Sequence, residues 1–177
     1  MKKNNGYSLV EMVIVIAIMA ILAGVSFITI GIIRNAKQSA AASTLNDQLG
    51  SCIIQTKAIS DNGSKRLCML VKKNTNGQYA IQFGYLSGSD LKNMDTNVVL
   101  DSGKVEDCQA ILSKEVTKIV YKPAGGGTEL DDNLMIRFSK SDGSVVAGAG
   151  EYDLYGRDNK VFSTIVLDKV TGNHFKK

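Results

Sequence analysis

The sequence predicts an α+β protein. One long N-terminal helix, with a transmembrane half and an amphipathic half, packs on a C-terminal antiparallel β-sheet head. Three observations predict it. Met12 to Ile33 carries no charge. Ala42, Leu45, Leu49, Cys52, Thr56 and Ile59 then recur at steps of three and four, forming one apolar stripe of a helix. Beyond Gly63 the chain breaks into short apolar or alternating runs separated by turn residues, the pattern of strands.

The uncharged run comes first. Its 22 residues make a helix of about 33 Å, enough to cross a hydrocarbon core. Its β-branched residues favour strand in water. In lipid, however, the backbone must satisfy its own hydrogen bonds, so the helix prevails. Lys2 and Lys3 precede the run, and Arg34 and Lys37 follow it. Two plainer readings stand beside a specialised one. An ordinary secretory signal could be cut near Ser39-Ala40-Ala41-Ala42, but its apolar core would span only about 7–15 residues. A plain single-span anchor is the other. A lipid-anchored cysteine has no support, because no Cys lies near the run.

Glu11 stands at the mouth of this run and is the only acid before Asp47. A carboxylate in a membrane helix costs about 2.5–3.5 kcal/mol at the centre and less towards the interface, and such residues are usually functional. Arg34 lies more than six turns away. The natural partner is therefore a cation on another chain.

A short basic leader, then Gly6, then Tyr7-Ser8-Leu9-Val10-Glu11 and an apolar helix resembles the N-terminus of type IV prepilins and type II secretion pseudopilins. The resemblance implies a prepilin peptidase that cuts between Gly6 and Tyr7 and methylates the new amine of Tyr7. It implies that Glu11, then the fifth residue, neutralises the amine of a neighbouring subunit as helices stack. Phe is usual where this chain has Tyr7. Many major pilins also carry a proline where this chain has Ile28, and here the helix has Gly24 and Gly31 instead. The implied partners are the membrane, the peptidase, other pilin or pseudopilin subunits and the filament assembly machinery. The implied location is the plasma (inner) membrane as a single-pass precursor with its head extracytoplasmic, then a pilus or pseudopilus at the cell surface. The fold so implied is the type IV pilin fold.

On this reading residues 1–6 are a leader and 7–33 the transmembrane and filament-core helix. Residues 34–60 continue it as the amphipathic half, unless a hinge near Gly31–Ala36 makes two helices. Residues 61–177 form the β-rich head. Asp61-Asn62-Gly63 stops the helix. Arg66–Lys73, the turn Asn74–Gly77 and Tyr79–Tyr85 read as a hairpin. A short strand near Val98–Leu100, a short helix over Glu106–Lys114 and a strand over Val116–Tyr121 follow. Asn133–Ser139 leads into the turn Ser141-Asp142-Gly143-Ser144, and Val161–Asp168 precedes Thr171-Gly172-Asn173. Phe138 before the Asp-Gly turn and the closing Thr171-Gly172 resemble the β-domain of minor pseudopilin H and FimT-type minor pilins.

The remaining totals exclude several classes. The formal charge of +4 includes Lys2 and Lys3; without them nineteen basic residues face seventeen acids, a balance too even for a dedicated polyanion binder. His174 is the only histidine, and Cys52, Cys68 and Cys108 contain no Cys-x-x-Cys pair, so no zinc site is expected. No metal, cofactor or small-molecule substrate is expected, and no catalytic group. His174 reads as part of a solvated tail. In an oxidising compartment one disulfide plus one thiol fits; Cys52 with Cys68 is one pairing and Cys68 with Cys108 another. The sequence therefore points to a structural subunit, not an enzyme. A filament-tip module for adhesion or DNA uptake is the alternative, with Lys169, Lys176 and Lys177 as weak DNA contacts.

Overall fold

The computed structural model describes residues 7–58, 66–74, 76–86, 109–125, 130–131 and 134–177. The helix α1 spans Leu9–Ala58. It runs through Gly31–Ala36 without a break, which removes the two-helix alternative. No proline interrupts it. Its second half carries a regular buried stripe: Ala42, Leu45, Leu49, Cys52 and Thr56 are all buried, as the three-and-four spacing requires. Ile59 and the expected stop at Asp61–Gly63 lie outside the described residues.

The chain divides after Ala36 into two units. In the second, ten strands follow α1: β1 (Arg66–Lys73), β2 (Tyr79–Leu86), β3 (Ala110–Ile111), β4 (Lys118–Pro123), β5 (Leu130–Asp131), β6 (Leu134–Phe138), β7 (Val145–Ala147), β8 (Gly150–Tyr155), β9 (Val161–Leu167) and β10 (His174–Lys176). They make two five-stranded sheets, ordered β3-β2-β1-β6-β7 and β10-β9-β8-β4-β5. The pairings within both are antiparallel. The antiparallel β head expected from the sequence is present as two sheets, and the chain moves between them after β3, β5 and β7.

The core lies where α1 meets both sheets. Leu45, Leu49 and Cys52 of the helix pack with Met69, Val71, Ile81 and Ile136 from the first sheet and with Ile119, Leu154, Ile165 and Leu167 from the second. Alternation along the strands supplies these residues: β6 reads buried, half-buried, buried, half-buried, buried.

Two sequence expectations change. Residues 109–114 form no helix. The Gln109 amide donates to Ile81 O and the Leu112 amide to Tyr79 O, each at 2.8 Å, so β2 recruits this stretch as an edge strand and tertiary pairing overrides local propensity. The rest of that expected helix, residues 106–108, and the expected strand at Val98–Leu100 lie outside the described residues. Nor is the C-terminus a solvated tail. β10 pairs with β9, His174 opposite Leu167, and His174 is half-buried.

Candidate functional site

The first described residues build the site. Tyr7 and Ser8 precede α1, and Glu11 sits in its first turn. The Ser8 hydroxyl accepts from the Val10 amide at 3.3 Å, and Ser8 O accepts from the Met12 amide at 3.2 Å. Ser8 is therefore the N-cap, which satisfies amide donors that the helix leaves without intrahelical partners. Glu11 falls three residues later, in the Ser-x-x-Glu spacing of a capping box. That spacing was legible in the sequence and gives Ser8 a role that the membrane argument alone overlooks.

The electrostatics follow from position. The N-terminus of a helix carries about half a positive charge. An amine created at Tyr7 would add a full positive charge at that same end. Glu11 provides the negative charge that this end of the helix favours. From Leu9 to Leu22 and again from Ile30 to Ile33 the helix is exposed all round, with Leu9 at 80% and Ile21 at 67%. The helix is long and apolar enough to cross a membrane. So broad an apolar surface far exceeds the few hundred Å² that monomeric soluble proteins usually expose contiguously.

Other residues marked in the sequence go elsewhere. Gly6 and Cys108 lie outside the described residues. Cys52 and Cys68 are not joined to each other, so the first of the two pairings does not form. The reason is strand alternation. Leu67, Met69 and Val71 of β1 join the core shared with α1, so Cys68 between them points to the opposite face of the strand. Burial pushes the Cys52 thiol up to about 12 and the Cys68 thiol to about 11.

The three C-terminal lysines do not converge. Lys169 lies in the turn after β9. The Lys176 ammonium donates to the Ser39 hydroxyl of α1 at 3.3 Å, and the Lys177 ammonium pairs with Glu151 at 2.8 Å. The Lys177 amide donates to Thr164 O, within β9, whereas Lys169 lies beyond the other end of that strand.

The closing motifs of the chain do meet. Gly143 and Gly172 both have positive φ, +81° and +69°. A Cβ on Gly172 would strike the Gly143 carbonyl and lie 3.8 Å from the Phe138 ring; a Cβ on Gly143 would lie 2.7 Å from Lys57 Cε. Each turn is held by an aspartate. Asp142 accepts from the Ser144 amide at 3.0 Å and hydroxyl at 2.8 Å. Asp168 accepts from the Val170 and Thr171 amides at 3.1 and 2.8 Å. Phe138, the Asp-Gly turn and the Thr-Gly turn are thus one packed junction near the end of α1.

Residues 1–27 match the family described as the prokaryotic N-terminal methylation motif. No curated protein and no solved structure matches the chain. The motif implies processing by prepilin peptidase, and the apolar helix behind it makes the chain a membrane-anchored precursor. Residues 1–27 thus form a type IV prepilin-like N-terminus, carried on the long helix whose second half packs on the β-sheets.

Proposed function

We propose that this chain is a structural subunit, a minor pilin or pseudopilin, of a type IV pilus-like filament or a type II secretion pseudopilus. Prepilin peptidase cuts between Gly6 and Tyr7 and methylates the Tyr7 amine. The helix over 7–33 holds the subunit in the plasma membrane, with residues 34–60 continuing it into the extracytoplasmic head. On assembly Glu11 neutralises the Tyr7 amine of a neighbouring subunit. Each charge alone is costly in an apolar bundle, and the pair offsets much of that cost. The chain itself performs no catalysis: peptide cleavage and methylation are the peptidase's, and assembly is driven by the machinery that receives the subunit.

One observation carries the reading. Within residues 1–27, which match the methylation motif, the apolar half of α1 has its only acid, Glu11, in the first turn, and its side chains from Leu9 to Leu22 are exposed. The absent helix proline at Ile28 and the Phe138–Gly143–Gly172 junction favour a minor subunit. The test is the N-terminal mass of the native, membrane-extracted protein. A chain that begins at methylated Tyr7 supports the proposal. A chain that begins near Ala42, or one that keeps Met1 in assembled filaments, overturns it.

A further inference from the structure

The C-terminal strand is fastened to the helix by few contacts. β10 has three residues, pairs only with β9 among the described strands, and forms one edge of its sheet. Phe175, on its outer side, is half exposed. The inner side carries His174 and Lys176. The His174 imidazole rests against α1 at Gly50, where a Cβ would lie 3.3 Å from Nε2 and 3.5 Å from Cε1. A residue with no side chain thus leaves a notch for the ring. About three turns back towards the N-terminus of α1, Ser39 accepts from the Lys176 ammonium.

The notch suits a neutral ring. His174 Nε2 is enclosed and has no hydrogen-bond partner among the described residues. Asp47 on α1 is the charged group that acts on the ring; Asp168 and Lys169 follow Leu167, the partner of His174 on β9, and Lys176 lies two residues along β10. Asp168 is committed to its own turn. Burial holds the His174 pKa below the usual histidine value, and Asp47 opposes that shift only in part. An imidazolium here would bring a positive charge and an N–H without an acceptor into a partly dry contact.

We infer that β10 is a pH-sensitive strap, which docks on α1 while His174 is neutral and is released, uncovering the helix face around Gly50, when His174 takes up a proton. The sign follows from linkage. A histidine whose docked pKa is depressed contributes docking stability that is present above its undocked pKa, near 6.5, and is lost as pH falls through the docked pKa. This inference does not depend on which filament the protein joins.

The experiment uses the full chain in detergent micelles. Because His174 is the only histidine, its ring C–H resonances give an unambiguous titration. Amide exchange of β10, corrected for its intrinsic pH dependence, is followed in parallel. Between the undocked and docked pKa values, exchange should rise about tenfold per pH unit. Asp47→Asn removes the opposing carboxylate, so the docked ring should titrate at lower pH, while the loss of protection still begins near the undocked pKa and runs further on acidification. His174→Gln should abolish the pH dependence, and Gly50→Ala, whose Cβ crowds the ring at 3.3 Å, should raise β10 exchange at every pH without removing its pH dependence. The inference is overturned if the ring titrates at or above the ordinary value, or if β10 exchange ignores the titration. It is equally overturned if protection grows on acidification, as it would if the buried Asn46 Oδ1, which also has no partner among the described residues, accepted a hydrogen bond from the imidazolium. Should His174→Gln fail to dock at all, the Asp47→Asn shift decides.

Discussion

At the scale of single residues, charge and burial determine what each group can do. Glu11 is the only acid in the apolar half of α1, and its proposed partner is a charge that cleavage creates. Removing one member of a buried pair costs about 3–5 kcal/mol, because the other is left uncompensated. Glu11→Ala should therefore still insert and be cut, while its incorporation into filaments falls by about a hundredfold or more. Quantifying the variant in sheared filaments against the membrane fraction checks this, and normal incorporation would remove Glu11 from assembly. The thiols make an opposite case, where burial silences chemistry. With Cys52 held at about 12 and Cys68 at about 11, the thiolate fraction at pH 8 is about one part in a thousand or less. Native protein treated with iodoacetamide should be labelled at neither residue, whereas unfolded protein should be labelled at both. Peptide mass spectrometry reads the difference. The Cys52–Cys68 pairing failed for a reason invisible in spacing: a strand places adjacent residues on opposite faces, and Cys68 falls on the face away from α1.

At the scale of elements, the sequence was most legible where one local rule dominates. The helical stripe from Ala42 to Thr56 and the hairpin of β1 and β2 needed only periodicity and turn residues. β3 and β10 were not legible, because two or three residues become strands only when a neighbour supplies their hydrogen bonds. The turn motifs lie between these cases: their residues were readable, but their contact with one another was not. That contact makes Gly172 sensitive. Alanine there would meet the Gly143 carbonyl at a φ that side chains avoid, and strain of this kind costs about 1–3 kcal/mol. Gly172→Ala should lower the denaturation midpoint, while Thr171→Ser, which keeps the hydroxyl bonded to Asp168, should change it little. The two aspartates also set a pH response. Hydrogen bonds from Ser139 and from the Ser144 amide and hydroxyl lower Asp142 to about 2, and those from Thr171 lower Asp168. A carboxylate depressed on folding contributes stability that is present above its unfolded pKa and is lost as pH falls through the folded value. The junction should hold at pH 5 and loosen between about pH 4 and 2, and Asp142→Asn should flatten that part of the stability profile.

At the scale of the molecule, the division of the head into two sheets was the least legible feature, since it depends on which distant strands pair. Its consequences can still be derived. The sheets share α1 as a common core, and hydrogen bonds cross between them. The Ile119 amide of β4 donates to the Tyr79 hydroxyl of β2 at 2.9 Å, and the Val145 amide of β7 donates to Lys169 O in the turn after β9 at 2.9 Å. Neither sheet can bury its inner face without the helix, because Leu45, Leu49 and Cys52 contribute to one continuous core with both. Residues 37–177 should therefore unfold in a single cooperative step, not sheet by sheet. Leu49 is fully buried in that shared core, and Leu→Ala at such sites costs about 2–5 kcal/mol. With no Trp in the chain, tyrosine fluorescence and far-UV circular dichroism are the probes, with Tyr79 in the first sheet and Tyr121 and Tyr152 stacked in the second. Under denaturant both signals should move together, and Leu49→Ala should shift both midpoints equally. Two separated transitions, with the substitution moving only one, would mean that the helix serves one sheet and that the other folds without it.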